Sequence, residues 1–485
     1  MNLRRITKHL LITALCGWLA TMAWQTHKPL PAGVHISSPS VLLPESDVRF
    51  LSDLTYQTPQ GERISEQTIF DAVFKQIDQA QHFIVLDFFL INDDMGDKSL
   101  RPLSRQLADH LLARKRAVPD IKVLLITDPI NDVYDGAFSD LLKELETAGI
   151  AIVRTDLTKL RDSNPGYSAI WRGLIQWWGN STQGGWLMNP FDGGSEKITL
   201  RSWLSLLNFK ANHRKVMVTD NAAGEWVALV TSGNPHDASS AHSNVAVQFT
   251  GEPARAVFDS ELEIARFSGW TSDMPSLAPV IQASAPGSVE LSYLTEGAIR
   301  ERVLREIRAT RAGDVIRMAM FYLSDRLVID ALKQAAQRDV TVQLILDPNK
   351  DAFGIEKDGV PNRPVANELV TDTDNRVEVR WYRTHGEQFH TKLLTVRRQR
   401  ELFATLGSAN FTRRNLADYN LEANVAMSLP PDTALAAQFD AYFNRLWNGD
   451  AANPEYVAPF GAYRDESAGR YWRYRVMEAT GLSTF

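Results

Sequence analysis

The feature that most constrains this chain is an internal repeat. Residues Ile64 to Asp93 read as a helix (DAVFKQIDQA) followed by a buried strand (HFIVLDFFLIND). Gly297 to Asp325 repeat that order with RERVLREIRATRAG and DVIRMAMFYLSD. An amphipathic helix and a hydrophobic strand follow in each copy, LSRQLADHLLARKR with IKVLLITDP and LVIDALKQAAQR with VTVQLILDP. Both copies close on Asp-Pro, at Asp128-Pro129 and Asp347-Pro348. Helices alternating with apolar strands of this length predict α/β layers. Two such halves predict a pseudo-twofold pair of α/β domains sharing one central cleft. A length of 485 residues is too great for one ordinary core and accommodates both.

Composition shifts place the boundaries. Pro275, Pro279 and Pro286-Gly287 lie among small and polar residues, which predicts a linker over 275–288 between a first domain, 34–274, and a second, 289–485. The first copy carries extra sequence from Ser163 to Phe209, rich in Gly and Asn, with five of the chain's twelve tryptophans. Trp favours the membrane–water boundary, so Trp171, Trp177, Trp178 and Trp186 are expected to form a lipid- or substrate-facing lip. The competing expectation is a loop whose aromatics, Trp203 among them, cover the core.

Residues 1–33 predict an export signal or a membrane anchor. Arg4, Arg5 and Lys8 precede an apolar run from Leu10 to Trp24. The run is short for a full span, which favours cleavage, whereas the missing A-x-A site and Trp24 at the interface favour retention. Leu15 before Cys16 does not suit lipoprotein processing. Either reading puts the body outside the cytoplasm, on the periplasmic side, anchored or secreted. Cys16 is the single cysteine, so a disulfide within the chain and a Cys-ligated metal site are excluded. A net charge of -6 without basic runs argues against sequence-blind nucleic-acid binding.

Each half ends in one constellation. His213-Arg214-Lys215 opens the strand HRKVMVTD, which ends at Asp220; a return strand, WVALVTS, leads to Ser232-Gly233-Asn234. His390-Thr391-Lys392 opens HTKLLTVR, and LFATL leads into Gly407-Ser408-Ala409-Asn410. Side chains alternate across a strand, so the His and Lys of H-x-K share a face, and the hairpin returns Ser and Asn beside them. Two facing half-sites then hold a phosphate between two histidines, with Lys and Asn donors neutralising its oxygens. One imidazole attacks phosphorus while the other protonates the leaving oxygen. Lysines supply the charge, so neither metal nor cofactor is called for. His236, His242 and His385 near the motifs read as cleft-lining polar residues rather than metal ligands.

This pattern resembles the phospholipase D superfamily, whose signature is H-x-K-x4-D followed by G-S/G-x-N, over about residues 62 to 450. The resemblance implies two α/β domains with one active site at their interface. It makes His213 the nucleophile and His390 the acid and base. Lys215, Lys392, Asn234 and Asn410 become phosphate ligands, supported by Asp220, Ser232 and Ser408. Two departures follow. Arg397 stands where the second motif usually has Asp. Glu422, in LEANVAM, matches the family's His-orienting Glu, while the first copy's HSNVAV puts His242 at the corresponding place.

Three functions remain open. The first is a phospholipid enzyme, a phospholipase D or a phosphatidyl transferase such as a cardiolipin synthase, working at a membrane surface. The alternative is an exported nuclease with the same chemistry, its insertion stacking bases. A degenerate phosphate-binding scaffold is the third, and the full His/Lys/Asn set in both copies speaks against it. The sequence identifies no protein partner.

Overall fold

The computed structural model describes residues 3–92, 100–191, 197–275, 287–352, 355–483 and 485. Most of the linker expected at 275–288 lies outside the described residues, as do Asp93 and residues 192–196 of the insertion.

The repeat becomes two sheets with the same strand order. In the first, Val48–Gln57, Asn244–Thr250, Trp226–Thr231, Lys215–Asp220, Phe83–Phe88, Lys122–Thr127 and Ala151–Arg154 lie side by side. In the second the matching series is Val289–Thr295, Ala423–Leu429, Leu402–Gly407, Lys392–Arg397, Val315–Met320, Thr341–Leu346 and Val377–Tyr382. In each series the last two junctions are parallel and the others antiparallel. The parallel junctions arise where a helix separates consecutive strands, as the alternating pattern requires.

The motif strands are apolar on both faces because both faces are covered. Val216 and Val218 of Lys215–Asp220 enter a core shared with Leu393, Leu406 and Val425 of the second sheet. Met217, between them, packs outward under the helices Ile69–Gln79 and Leu103–Ala117. The second sheet carries Gly297–Arg308, Arg326–Gln337 and Asn362–Asp372 on its own outer face. The result is helix, sheet, sheet, helix, the expected pseudo-twofold α/β pair.

The N-terminal segments depart from the simple division. Val41–Leu43 pairs with Val289–Thr295 at the edge of the second sheet, although sequence position puts these residues in the first half. Before them, Leu3–His27 is one exposed apolar helix. Its 25 residues rise about 37 Å at ~1.5 Å per residue, long enough to cross a bilayer. Its end docks on the start of the Trp-rich insertion and the segment just before it. Trp18 Nε1 donates to Gly166 O at 2.9 Å, Asp162 N to Gln25 O at 3.0 Å, and Lys28 Nζ to Thr158 O at 2.8 Å.

Candidate active site

The residue before each motif histidine threads into the opposite half. His213 N donates to Leu421 O at 2.9 Å, and Ser243 N donates to Gln388 O at 3.1 Å, so Asn212 bridges Leu421 and Phe389 bridges Ser243. The Asp-Pro pairs explain how those segments are held. Asp128 Oδ2 accepts from Asn212 N, and Asp347 Oδ2 from Phe389 N, each at 2.7 Å. The strands proper begin at Lys215 and Lys392, two residues later than expected, but the alternation persists. Arg214 points away from His213 and Lys215 and is buried against Glu261 at 2.9 Å and Glu296 at 2.7 Å. Such a buried cation is tolerable only with its carboxylates, and Glu296 comes from the second half, so this pairing ties the halves behind the site.

The half-sites are near copies. Lys215 Nζ donates to His213 O at 2.7 Å, and Lys392 Nζ to His390 O at 2.9 Å. Each ammonium lies 5.3 Å from a ring centroid, Phe89 or Phe321, and each imidazole sits 5.0 Å from the same ring. Asn234 Oδ1 accepts from Leu90 N at 3.3 Å, while the buried Asn410 Oδ1 has no hydrogen-bond partner.

Behind the histidines the copies diverge. His213 Nδ1 lies 2.9 and 3.1 Å from the two oxygens of Glu422, which also accepts from Ser408 and Asn415. His390 Nδ1 lies 3.1 Å from Asn244 Oδ1, which accepts from Ser232 Oγ at 2.9 Å. Ser408 pairs with Ala423 and Ser232 with Val245 through the same backbone bonds, making Asn244 the structural counterpart of Glu422. This corrects the sequence match of His242 to Glu422. The loop after Asn234 is two residues shorter than the one after Asn410, so counting by the shared Asn-Val-Ala slips by two. His242 instead stands beside His390, with ring centroids 5.8 Å apart.

Burial sets the charge states. It pushes His213 down to about 4, against the pull of Glu422, so its ring is neutral near pH 7. Burial, with Lys392 next, holds His390 well below its ordinary value. Lys215 is pushed down to about 7, and Lys392 well below its usual range, again through burial. Burial works upward on Glu422, but His213 and Lys215 hold it below the ordinary carboxylate value. A phosphate entering between the lysines restores their charge, so the site is poised for an anion.

The residues expected to support the site occupy different places. Ser232 and Ser408 hold Asn244 and Glu422. Asp220 sits at the far end of its strand, accepting from Gln81 N at 3.0 Å and His82 N at 2.9 Å, so it fixes the neighbouring strand's start. Arg397 at the matching position pairs with Asp440, and the missing Asp leaves the catalytic end untouched. Trp177, Trp178 and Trp186 are 75%, 48% and 69% exposed, as a lip requires, but Trp171 is 8% exposed and does not belong to it. Trp171 lies under the guanidinium of Arg201, 4.9 Å from ring centroid to Cζ. Its helical face, shared with buried Ile175, was the readable signal. Asn244 and Arg214 were missed because neither carries a motif signature alone.

A family model described as cardiolipin synthase, PLD-like domain, matches residues 303–447. Cardiolipin synthase A of Pseudomonas syringae pv. syringae (strain B728a) is 25% identical over 403 residues, covering 79% of this chain and 67% of that protein. The crystal structure of phosphatidylserine synthase from Haemophilus influenzae Rd KW20 superposes with a TM-score of 0.55 at 10% identity, over 91% of this chain and 97% of that one. At that identity the likeness concerns the fold. The family model and the cardiolipin synthase relative indicate an enzyme of the phosphodiesterase and phosphatidyltransferase class. Over residues 303–447 the chain is thus similar to the PLD-like domain of the cardiolipin synthase family, in keeping with the phospholipase D resemblance of its motifs.

Proposed function

We propose that the chain is a membrane-anchored phosphatidyl transferase that works through a phosphohistidine on His213. The observation that carries this reading is the carboxylate contact across the halves. Glu422 fixes the Nδ1–H tautomer of His213 and leaves the Nε2 lone pair free to attack. A neutral ring with a carboxylate behind it gains stabilisation as positive charge develops on attack. As the anionic phosphodiester enters, His390 takes up a proton on Nε2; His213 Nε2 then bonds to phosphorus, the bond from phosphorus to the headgroup oxygen breaks, and the His390 imidazolium gives that oxygen its Nε2 proton, returning to neutral. Neutral His390 then takes the proton of an acceptor hydroxyl, whose oxygen attacks phosphorus and breaks the P–N bond. Lys215, Lys392, Asn234 and Asn410 hold the phosphoryl oxygens throughout.

The lipid assignment rests on the apolar helix docked against an insertion that exposes Trp177, Trp178 and Trp186. The basic flank before that helix supports a periplasmic body. We read 34–274 and 289–485 as the two domains, with the N-terminal edge strand lying across from one to the other. The full chain in detergent micelles is assayed in parallel with labelled phosphatidylglycerol and labelled single-stranded DNA. Release of glycerol from the lipid and an intact DNA strand are expected. Cleavage of DNA without lipid turnover replaces this reading with the nuclease.

A further inference from the structure

Between the insertion and the ends of the first sheet's strands lies a cavity of about 250 Å³ that the reaction above does not use. Its wall includes Thr155, Trp171, Arg201, Lys210 and Asp135. It stands close to the catalytic segment. Thr155 Oγ1 accepts from Asn212 Nδ2 at 2.9 Å, and Asn212 directly precedes His213.

The charges in the cavity are not equally engaged. Lys210 pairs with Asp162 and also donates to Leu157 O and Leu160 O, at 3.1 Å each. Arg201 donates to Ser205 Oγ and weakly to Gln176 O at 3.4 Å, and among the described residues it makes no ion pair. Its Nε and the indole Nε1 of buried Trp171 are both without an acceptor. Burying donors unpaired is costly, and an anion seated on the guanidinium is the group that answers them. Asp135 and Thr155 offer oxygens for hydroxyl donors. A cation, two orphan donors and nearby acceptors suit a phosphate that carries a polyol.

The cavity also has a lipid side. Trp171 and Ile175 face inward, while Leu174 and Trp177 of the same segment are 67% and 75% exposed. The segment thus carries an exposed apolar surface on the side opposite Trp171. We propose that this cavity binds the phosphoglycerol headgroup of the acceptor lipid, phosphate on Arg201 and Trp171 Nε1 and hydroxyls on Asp135 and Thr155. The proposal rests on the phosphatidyl-transfer reading and adds the place from which the acceptor hydroxyl comes.

The test uses the full chain in mixed micelles with a phosphatidyl ester of p-nitrophenol as donor and phosphatidylglycerol as acceptor. p-Nitrophenol reports the first half-reaction, and the ratio of diphosphatidylglycerol to phosphatidic acid reports acceptor use. Arg201→Gln is expected to raise the acceptor KM roughly ten-fold or more and to shift product toward phosphatidic acid. Arg201→Lys should recover part of the loss, and Trp171→Phe should raise the same KM several-fold. In the unaltered protein, glycerophosphoglycerol should compete with acceptor and not with donor, and inorganic phosphate should do so far more weakly. No p-nitrophenol from the unaltered protein overturns the phospholipid reading itself. Normal turnover with an unchanged acceptor KM in Arg201→Gln overturns the cavity alone. If that variant does not fold, competition with donor, or equal competition by inorganic phosphate, overturns it instead.

Discussion

Behind His213 stands the carboxylate of Glu422; behind His390, at the equivalent place, stands the amide of Asn244. Everything nearer the substrate is almost the same in the two half-sites: a lysine on the histidine's own carbonyl, a phenylalanine under both, and a serine holding the group behind. Both Asn244 and Glu422 fix Nδ1–H and aim Nε2 inward, so orientation alone does not need the charge. The charge matters when the ring becomes cationic. A carboxylate stabilises an imidazolium and its phosphorylated form; an amide holds the ring and leaves it close to neutral. The asymmetry supports the proposed attack by His213 and gives His390 a weaker grip on its proton, suited to shuttling.

The largest effect expected from breaking this comparison is at the histidines themselves. His213→Ala and His390→Ala should each lower turnover of a lipid with an alkyl headgroup by ~10⁴-fold or more. With a p-nitrophenyl ester, whose leaving group needs no proton, they should separate. His390→Ala keeps a burst of p-nitrophenol and accumulates labelled phosphoprotein, whereas His213→Ala gives neither. Label trapped on His390 would reverse the assignment.

Exchanging the groups behind the rings sharpens the comparison. Glu422→Gln gives both histidines an amide and should lower kcat by roughly 10²- to 10⁴-fold. Asn244→Asp gives both a carboxylate and should move the acidic limb of kcat/KM upward by about one pH unit, as His390 holds its proton longer. Equal and small responses in the two variants would mean that the amide and carboxylate are interchangeable, and the division of roles would fall.

The insertion offers a second contrast, between a helical segment and the turn that follows it. Trp171 is buried and Trp177 is exposed, so they should fail differently. Trp177→Ala with Trp178→Ala should weaken binding to anionic vesicles several-fold at unchanged Tm. Trp171→Ala should lower Tm through the lost packing, by about 3 kcal/mol of stability. Unchanged vesicle binding in the double variant would leave the exposed rings without a membrane role.

Much of this was legible because chemistry and geometry share a period. H-x-K puts two polar side chains on one face of an otherwise apolar strand, and its repetition 177 residues later marks the second half. The Asp-Pro pairs were visible as repeat ends, but their grip on the segments before the histidines depends on contacts across the sheet. Asn244 was hidden by a loop-length difference of two residues, since the register is set by backbone bonds to Ser232. Trp171 was grouped with its neighbours by composition, where the helical spacing that pairs it with Ile175 separates them. The edge strand Val41–Leu43 had no local signal at all, because its partner lies some 250 residues away.

The smallest expected effect concerns acid stability and again compares the two half-sites. Burial pushes His236 down to about 4 and His242 to about 3, and His390 lies well below its ordinary value. His213 is pushed to about 4, but with Glu422 opposing. In the unfolded chain these rings titrate near ~6.5. Between that value and the folded one the unfolded state binds more protons, so stability is complete above about pH 6.5 and is lost as pH falls toward 4. Three of the four neutral rings gather on the His390 side, His236 and His242 reaching there from the first half, and His242 faces His236, Lys392 and Arg63, none of which favours its protonation. Tm measured from pH 7.5 to 4.5 should fall progressively, and His242→Gln should flatten that slope more than Glu422→Gln changes it. Removing Glu422's carboxylate works in the other direction, since it takes away the one group that helps His213 accept a proton. An unaltered slope in His242→Gln would show that the buried rings around His390 do not set the acid limit.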